Sequence, residues 1–78
     1  MSEITDTLRG FLEENVLFGE GTVTDDQELI GGILDSLALL QFVEFVESEY
    51  GFEVGDADMV PANFQSLSAV ERYISSRS

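Results

Sequence analysis

Histidine, cysteine, tryptophan and lysine are all missing from this 78-residue chain, and its only bases are Arg9, Arg72 and Arg77. Each absence removes a class of chemistry. Nucleophilic triads of the Ser-His-Asp and Cys-His kinds need a titratable imidazole beside the nucleophile, and the Ser-Lys variant needs an amine. Without cysteine there are no disulfide staples and no thiolate metal sites, so stability must come from packing, as suits a reducing compartment. A single proline, Pro61, leaves long stretches free to be helical. No apolar run approaches the roughly 20 residues of a membrane span. The start Met1-Ser2-Glu3-Ile4 has no basic region leading into an apolar one, so no signal peptide is expected. A soluble, cytoplasmic protein is the expectation.

What is abundant is acid. Sixteen Asp and Glu against three Arg give a net charge of −13, a field that repels phosphate backbones and anionic headgroups and argues against nucleic acid and membrane partners. The same field steers basic protein surfaces toward the chain, although excess charge also serves plain solubility. With 44% apolar residues the chain can still build one small core, so residues 1–78 are expected to form one domain, and a monomer.

Periodicity divides the chain. Ile4, Leu8, Phe11, Leu12 and Val16 recur at helical spacing, which predicts a first helix over residues 4–17 with Ser2 or Thr5 as its cap. Gly19, Gly21 and a run of turn formers then open a long connection reaching Asp35, pinned to the core by Leu29, Ile30, Ile33 and Leu34. Gly31-Gly32 lacks the spacing and the lysine of a phosphate-binding loop, and its expected use is a sharp backbone turn. A second helix should begin at Asp35 or Ser36 and end near Tyr50, with Gly51 closing it in the left-handed conformation. Phe52-Glu53-Val54 reads as an extended linker burying Phe52 or Val54, and residues 56–64, with Pro61, as one short irregular helix. Ser66 can cap a last helix whose Leu67, Val70, Tyr73 and Ile74 share a face, with Ser68 and Glu71 as a competing capping box. The predicted fold is all-α: an up-and-down bundle of three main helices plus a short third helix, with a long loop between the first two.

The second helix has more apolar residues than one core stripe requires. At about 100° per residue, Leu39, Phe42, Val43, Val46 and Tyr50 form the buried side. Leu37 and Leu40 are left on the other side, around Gln41, Glu44, Glu47 and Ser48, and Phe45 sits on a flank where it is expected to meet the short third helix. An apolar patch rimmed by carboxylates suits a partner with an apolar socket and a basic rim, although scattered surface leucines are also ordinary. Ser36, at the mouth of this helix, is open to three readings: a cap, a nucleophile or a point of covalent attachment. With no imidazole, thiol or amine to activate it, any special chemistry there must be carried out by another enzyme. A phosphoryl-linked group would suit a helix N-terminus, where free N–H groups favour negative charge. Other acidic groupings carry less: Asp56-Ala57-Asp58 lacks the glycine and distal Glu of a calcium loop, and Glu13-Glu14 and Glu47/Glu49 read as solvated helix faces rather than acid–base pairs.

With these residues in place the chain resembles the acyl carrier proteins of the phosphopantetheine-binding family. The resemblance rests on Gly32-Ile33-Leu34-Asp35-Ser36-Leu37, the acidic second helix, the Tyr50-Gly51-Phe52-Glu53-Val54 exit, the acidic Asp56-Ala57-Asp58 segment and the closing helix from Ser66-Leu67 to Tyr73-Ile74. It implies that Ser36 carries 4′-phosphopantetheine through a phosphodiester, installed from coenzyme A by a phosphopantetheinyl transferase. Acyl or aminoacyl groups would then ride as thioesters on that arm, and the domain itself would not be an enzyme. It further implies that acyl- or aminoacyl-activating ligases and acyl-transfer or condensing enzymes dock basic surfaces around Asp35, Leu37, Leu40, Gln41, Glu44 and Glu47. The chain departs from the fatty-acid type in its more apolar Ala38-Leu39-Leu40-Gln41-Phe42-Val43. Its Val60-Pro61-Ala62-Asn63-Phe64-Gln65-Ser66 segment is similar to freestanding carriers of specialised or aminoacyl pathways. A specialised polyketide, nonribosomal peptide or aminoacyl role is therefore expected ahead of housekeeping fatty-acid synthesis. From a different class, a noncovalent acidic adaptor covering a basic surface is the alternative.

Overall fold

A computed structural model describes residues 3–77. Among them lie four helices, α1 (Glu3–Asn15), α2 (Ser36–Tyr50), α3 (Pro61–Phe64) and α4 (Leu67–Arg77), with a 3-10 turn at Asp56–Asp58. No strand forms among the described residues, only an isolated bridge between Ile30 and Leu34. The architecture is the expected helical bundle. The short third element is divided, however: the 3-10 turn stands apart from α3 because Pro61, at the first turn of α3, lacks the N–H that would continue a helix through it.

Helix ends follow local chemistry. Ser2 lies outside the described residues, and Thr5 is not the cap of α1, because it sits buried within the helix. Helix α1 stops at Asn15 rather than Leu17, as the chain tightens into a turn in which both the Val16 and Leu17 N–H groups reach the Leu12 carbonyl. Gly51 closes α2 with φ 73°, its N–H donating to the Glu47 carbonyl at 2.9 Å. For α4 the cap is Ser66, whose hydroxyl accepts the Ala69 N–H at 3.2 Å. The Ser68–Glu71 box is not used, since the Ser68 N–H goes instead to the Asp25 carbonyl.

One apolar cluster joins all these parts. Leu8 and Leu12 of α1, Phe42, Val43 and Val46 of α2, Phe64 of α3, and Leu67, Val70, Tyr73 and Ile74 of α4 are buried together. The long connection enters the same core through Val23, Leu29 and Leu34, while Ile30 and Ile33 are half-buried against it. Val23 is held because α1 grips its backbone from both sides. Glu13 accepts its N–H at 3.0 Å and Arg9 Nε donates to its carbonyl at 2.7 Å. Arg9 also pairs with Asp6 and Asp25, and the Leu29 N–H donates to the Gln65 carbonyl at 2.8 Å, so the loop is fastened to both α1 and the entry to α4.

Beyond α2 the linker buries both of its apolar residues partly, Phe52 against Tyr73 and Arg77, and Val54 beside Glu47. Asp58 is a tie rather than a ligand. Its carboxylate accepts the Tyr73 hydroxyl at 2.8 Å and an Arg77 N–H at 3.0 Å, which anchors α4 to the 3-10 turn.

Candidate functional site

The site is built by the last turn of the long connection. Gly31 takes φ 83°, a left-handed conformation that glycine adopts without a side-chain penalty. A Cβ on Gly32 would stand 2.3 Å from the Glu28 carbonyl oxygen, so only glycine fits where the chain folds back on itself. The Gly32 and Leu34 N–H groups both turn to the Leu29 carbonyl, at 3.1 and 2.9 Å. Leu34 then drops into the core at 5% exposure, which fixes where α2 begins.

At that point the two candidate caps separate. Asp35 is the cap: its backbone is extended and its carboxylate accepts the Ala38 N–H at 2.8 Å. Ser36 is the first residue of α2, exposed, and its hydroxyl has no hydrogen-bond partner among the described residues. A serine relieved of capping at a helix N-terminus has its hydroxyl free to serve as the nucleophile when an outside enzyme presents a phosphoryl donor. A phosphoryl group placed there would meet the positive end of the helix dipole. The residues present therefore fit a phosphodiester at Ser36.

The face beyond Ser36 matches the leftover side of the helical wheel. Leu37 is 66% exposed and Leu40 56%, with Gln41 and Glu44 also exposed. Glu47 differs, being half-buried with its carboxylate accepting the Val54 N–H at 2.8 Å, so it holds the linker to α2. Phe45 does not meet α3. Its ring stacks on Phe11 of α1, with centroids 4.2 Å apart and planes at 20°, because α1 and not the short helix lies along that flank.

One surface residue escaped the reading of the sequence. Phe18 is 76% exposed and has φ 53°, a left-handed conformation that bulky residues rarely adopt. It occupies the position after α1 where glycine usually reverses the chain, and the Gly19 N–H reaches back to the Glu13 carbonyl at 2.8 Å. The available signal was an aromatic residue just outside the helical period of α1, with no place in any core stripe. Phe18 stands over a furrow between α1 and α2 that opens beside Asp35 and Leu37.

Among the described residues no group of acids could hold a metal ion and no helix is long and apolar enough to cross a membrane. No protein-family model matches the chain. It is 30% identical over 73 residues to aminoacyl carrier protein 1 of Bradyrhizobium diazoefficiens, covering 94% of this chain and 79% of that protein. It is similar to a glycylated carrier protein of Bradyrhizobium japonicum, solved in complex with glycine:[carrier protein] ligase. There the TM-score is 0.71 and the identity 32%, over 88% of this chain and 90% of the other. The holo acyl carrier protein of Nitrosomonas europaea shares the fold, with a TM-score of 0.80 at 22% identity over 97% of this chain and 96% of the other. The helical bundle, the motif at the mouth of α2 and a curated relative matched over nearly the whole chain lead to one conclusion: the chain belongs to the family of acyl and aminoacyl carrier proteins.

Proposed function

We propose that this carrier holds aminoacyl groups on a 4′-phosphopantetheine arm attached to Ser36 and presents them to biosynthetic enzymes. The observation that carries the reading is the division of labour at the start of α2, where Asp35 caps the helix and leaves the exposed Ser36 hydroxyl unengaged. When attached, the arm supplies a terminal thiol that keeps carboxylic acids activated for transfer. The chain's own residues do the rest. Ser36 is the anchor, the α2 N-terminus favours the phosphodiester charge, and Leu34 and Asp35 fix where that anchor stands.

Recognition falls to the exposed face of α2. Leu37 and Leu40 offer apolar contact, and Asp35, Gln41 and Glu44 surround them with acid and amide groups. A partner with a basic rim and an apolar socket is the complement, and the net charge of −13 speeds its approach. Glu47 contributes at the edge of this face by holding the linker to α2 through the Val54 N–H. Such docking is weak and fast, because each load must be released to the next enzyme. The partners are a phosphopantetheinyl transferase, an amino-acid-activating ligase of the kind seen with the Bradyrhizobium relative, and an enzyme that takes the group on. The domain supplies an address and a tether rather than catalysis, raising the local concentration of its cargo at each partner.

Intact mass after incubation with coenzyme A and a broad-specificity phosphopantetheinyl transferase tests this reading. A single phosphopantetheine increment on the wild type, absent from Ser36→Ala, is expected. No increment on the wild type moves the weight to a noncovalent acidic adaptor. Once the holo protein is made, ATP-dependent loading by amino-acid ligases, set against fatty acyl transfer, decides the cargo class.

A further inference from the structure

Every phenylalanine except Phe18 joins with Tyr73 in one chain of ring contacts that crosses the bundle. It begins on the α1–α2 flank, where Phe45 stacks on Phe11. Phe11 meets Phe42 with centroids 6.2 Å apart, Phe42 meets Phe64 of α3 edge to face at 6.5 Å, and Phe64 meets Tyr73 of α4 at 5.6 Å. Tyr73 in turn meets Phe52 of the linker edge to face at 5.8 Å, and the Arg77 guanidinium lies over that last ring. The rings at the two ends are half-buried, whereas Phe42, Phe64 and Tyr73 in the middle are buried.

These middle rings occupy the apolar interior nearest to Ser36. Phe42 lies six residues further along α2, about 9 Å at about 1.5 Å per residue, on the side that faces α3 and α4. Cargo on a flexible arm is not confined to the Ser36 side of α2, so whether it enters the bundle depends on what fills the interior. Neighbouring bonds hold the rings in place. The Tyr73 hydroxyl donates to Asp58 at 2.8 Å, and the Leu29 N–H donates to the Gln65 carbonyl, which fixes the backbone directly after Phe64. Aromatic pairs attract one another beyond their burial, and close-packed interiors yield little. An alkyl chain could enter only by separating rings that tie α2, α3 and α4 together. An aminoacyl group forgoes nothing by staying outside, because its ammonium is costly to bury.

We propose that Phe42 and Phe64 act as a plug that keeps cargo out of the bundle, so that this carrier serves short, polar acyl groups and leaves long alkyl chains in water. The proposal rests on attachment at Ser36 and deepens the aminoacyl reading by naming the residues that set the cargo class.

The test loads the protein from acetyl-coenzyme A and from octanoyl-coenzyme A with a broad-specificity phosphopantetheinyl transferase, with intact mass confirming each product. The two cargoes differ only in methylenes, so any difference in thermal unfolding reports their burial. The wild-type Tm values should agree to within about 4 °C, roughly the shift that burying a single methylene would give in a domain of this size. By NMR, no nuclear Overhauser contacts should run from the octanoyl methylenes to Phe42, Phe64 or Val46. Phe64→Ala opens a cavity of the kind that takes up apolar ligands, and there the octanoyl form should melt above the acetyl form by more than that margin. Phe64→Val takes its place if the alanine form does not fold. An octanoyl wild type that is stabilised beyond the margin, or that shows those contacts, overturns the proposal. Equal Tm values for the two cargoes in the folded Phe64 variant overturn it as well, because the ring would then not be what excludes the chain. Failure to load either thioester overturns attachment at Ser36 and with it the plug, whereas burial of the octanoyl chain overturns the plug and leaves the attachment standing.

Discussion

The Asp35 carboxylate accepts the Ala38 N–H at 2.8 Å, and through that bond the neighbouring Ser36 is released from the role serine most often plays at a helix start. The arrangement makes Asp35 a structural residue as well as part of the proposed docking face, and the two roles are separable. Asp35→Ala should lower stability by about 1 kcal/mol through loss of the cap, whereas Asp35→Asn, an equally good cap, should leave it nearly unchanged. Urea unfolding measures the first effect. Loading rates of Asp35→Asn isolate what the charge contributes to partner recognition, and equal destabilisation in both variants would argue against the cap.

Leu37 and Glu44 are exposed on α2 and lie outside the core. Leu37→Ala and Glu44→Lys should therefore change stability by no more than about 0.5 kcal/mol while slowing phosphopantetheine loading or the later transfer steps. Circular dichroism and loading kinetics check the pair together. Loss of helix in either variant would mean that the face is structural.

Gly32 has no room for a side chain, because an added Cβ would meet the Glu28 carbonyl, which belongs to backbone and cannot swing away. Gly32→Ala should destabilise the protein by about 1–3 kcal/mol, in the range of other overpacking changes. It should also disturb the Leu29–Leu34 turn that sets the start of α2, and so reduce loading at Ser36 even below the unfolding temperature. Thermal unfolding and loading at low temperature separate these effects.

Burial first, and then the hydrogen bond to Asp58, raise the Tyr73 phenol above the ordinary tyrosine value of 10.0. The unfolded chain therefore loses this proton at lower pH than the folded one. The contribution to stability is complete below pH 10.0 and declines as pH rises toward and through the folded value. Tyr73→Phe should cost about 1–2 kcal/mol at neutral pH and make the alkaline decline shallower. Some decline should remain, since burial also raises Tyr50. Denaturant unfolding across the alkaline range measures both, and an unchanged slope would remove Tyr73 as its source.

Much of the bundle was legible without coordinates because its signals are local. Helix periodicity, Gly51 past the end of α2 and Ser66 before α4 each act over a few residues, and each took the predicted position. The sorting of α2 into a buried stripe and an exposed Leu37–Leu40 face is equally local, since it depends only on the angle between successive side chains. The boundary of α1 moved by two residues because the Val16 and Leu17 N–H groups both turn to the Leu12 carbonyl, a tightening that apolar spacing does not reveal.

Taken alone, then, the chain determined where helices form, which side of α2 turns inward, and that Ser36 stands at a helix mouth with no base to activate it. Only the tertiary structure decided the relations between distant segments. Phe45 turned to Phe11 because α1 lies along its flank, Val23 became core because Glu13 and Arg9 hold its backbone, and Glu47 was drawn to the Val54 N–H. The furrow that Phe18 overhangs exists only between two helices separated by the whole long loop. Periodicity reports how one segment divides between core and solvent, whereas the identity of a side chain's neighbour depends on how segments far apart in the chain are brought together.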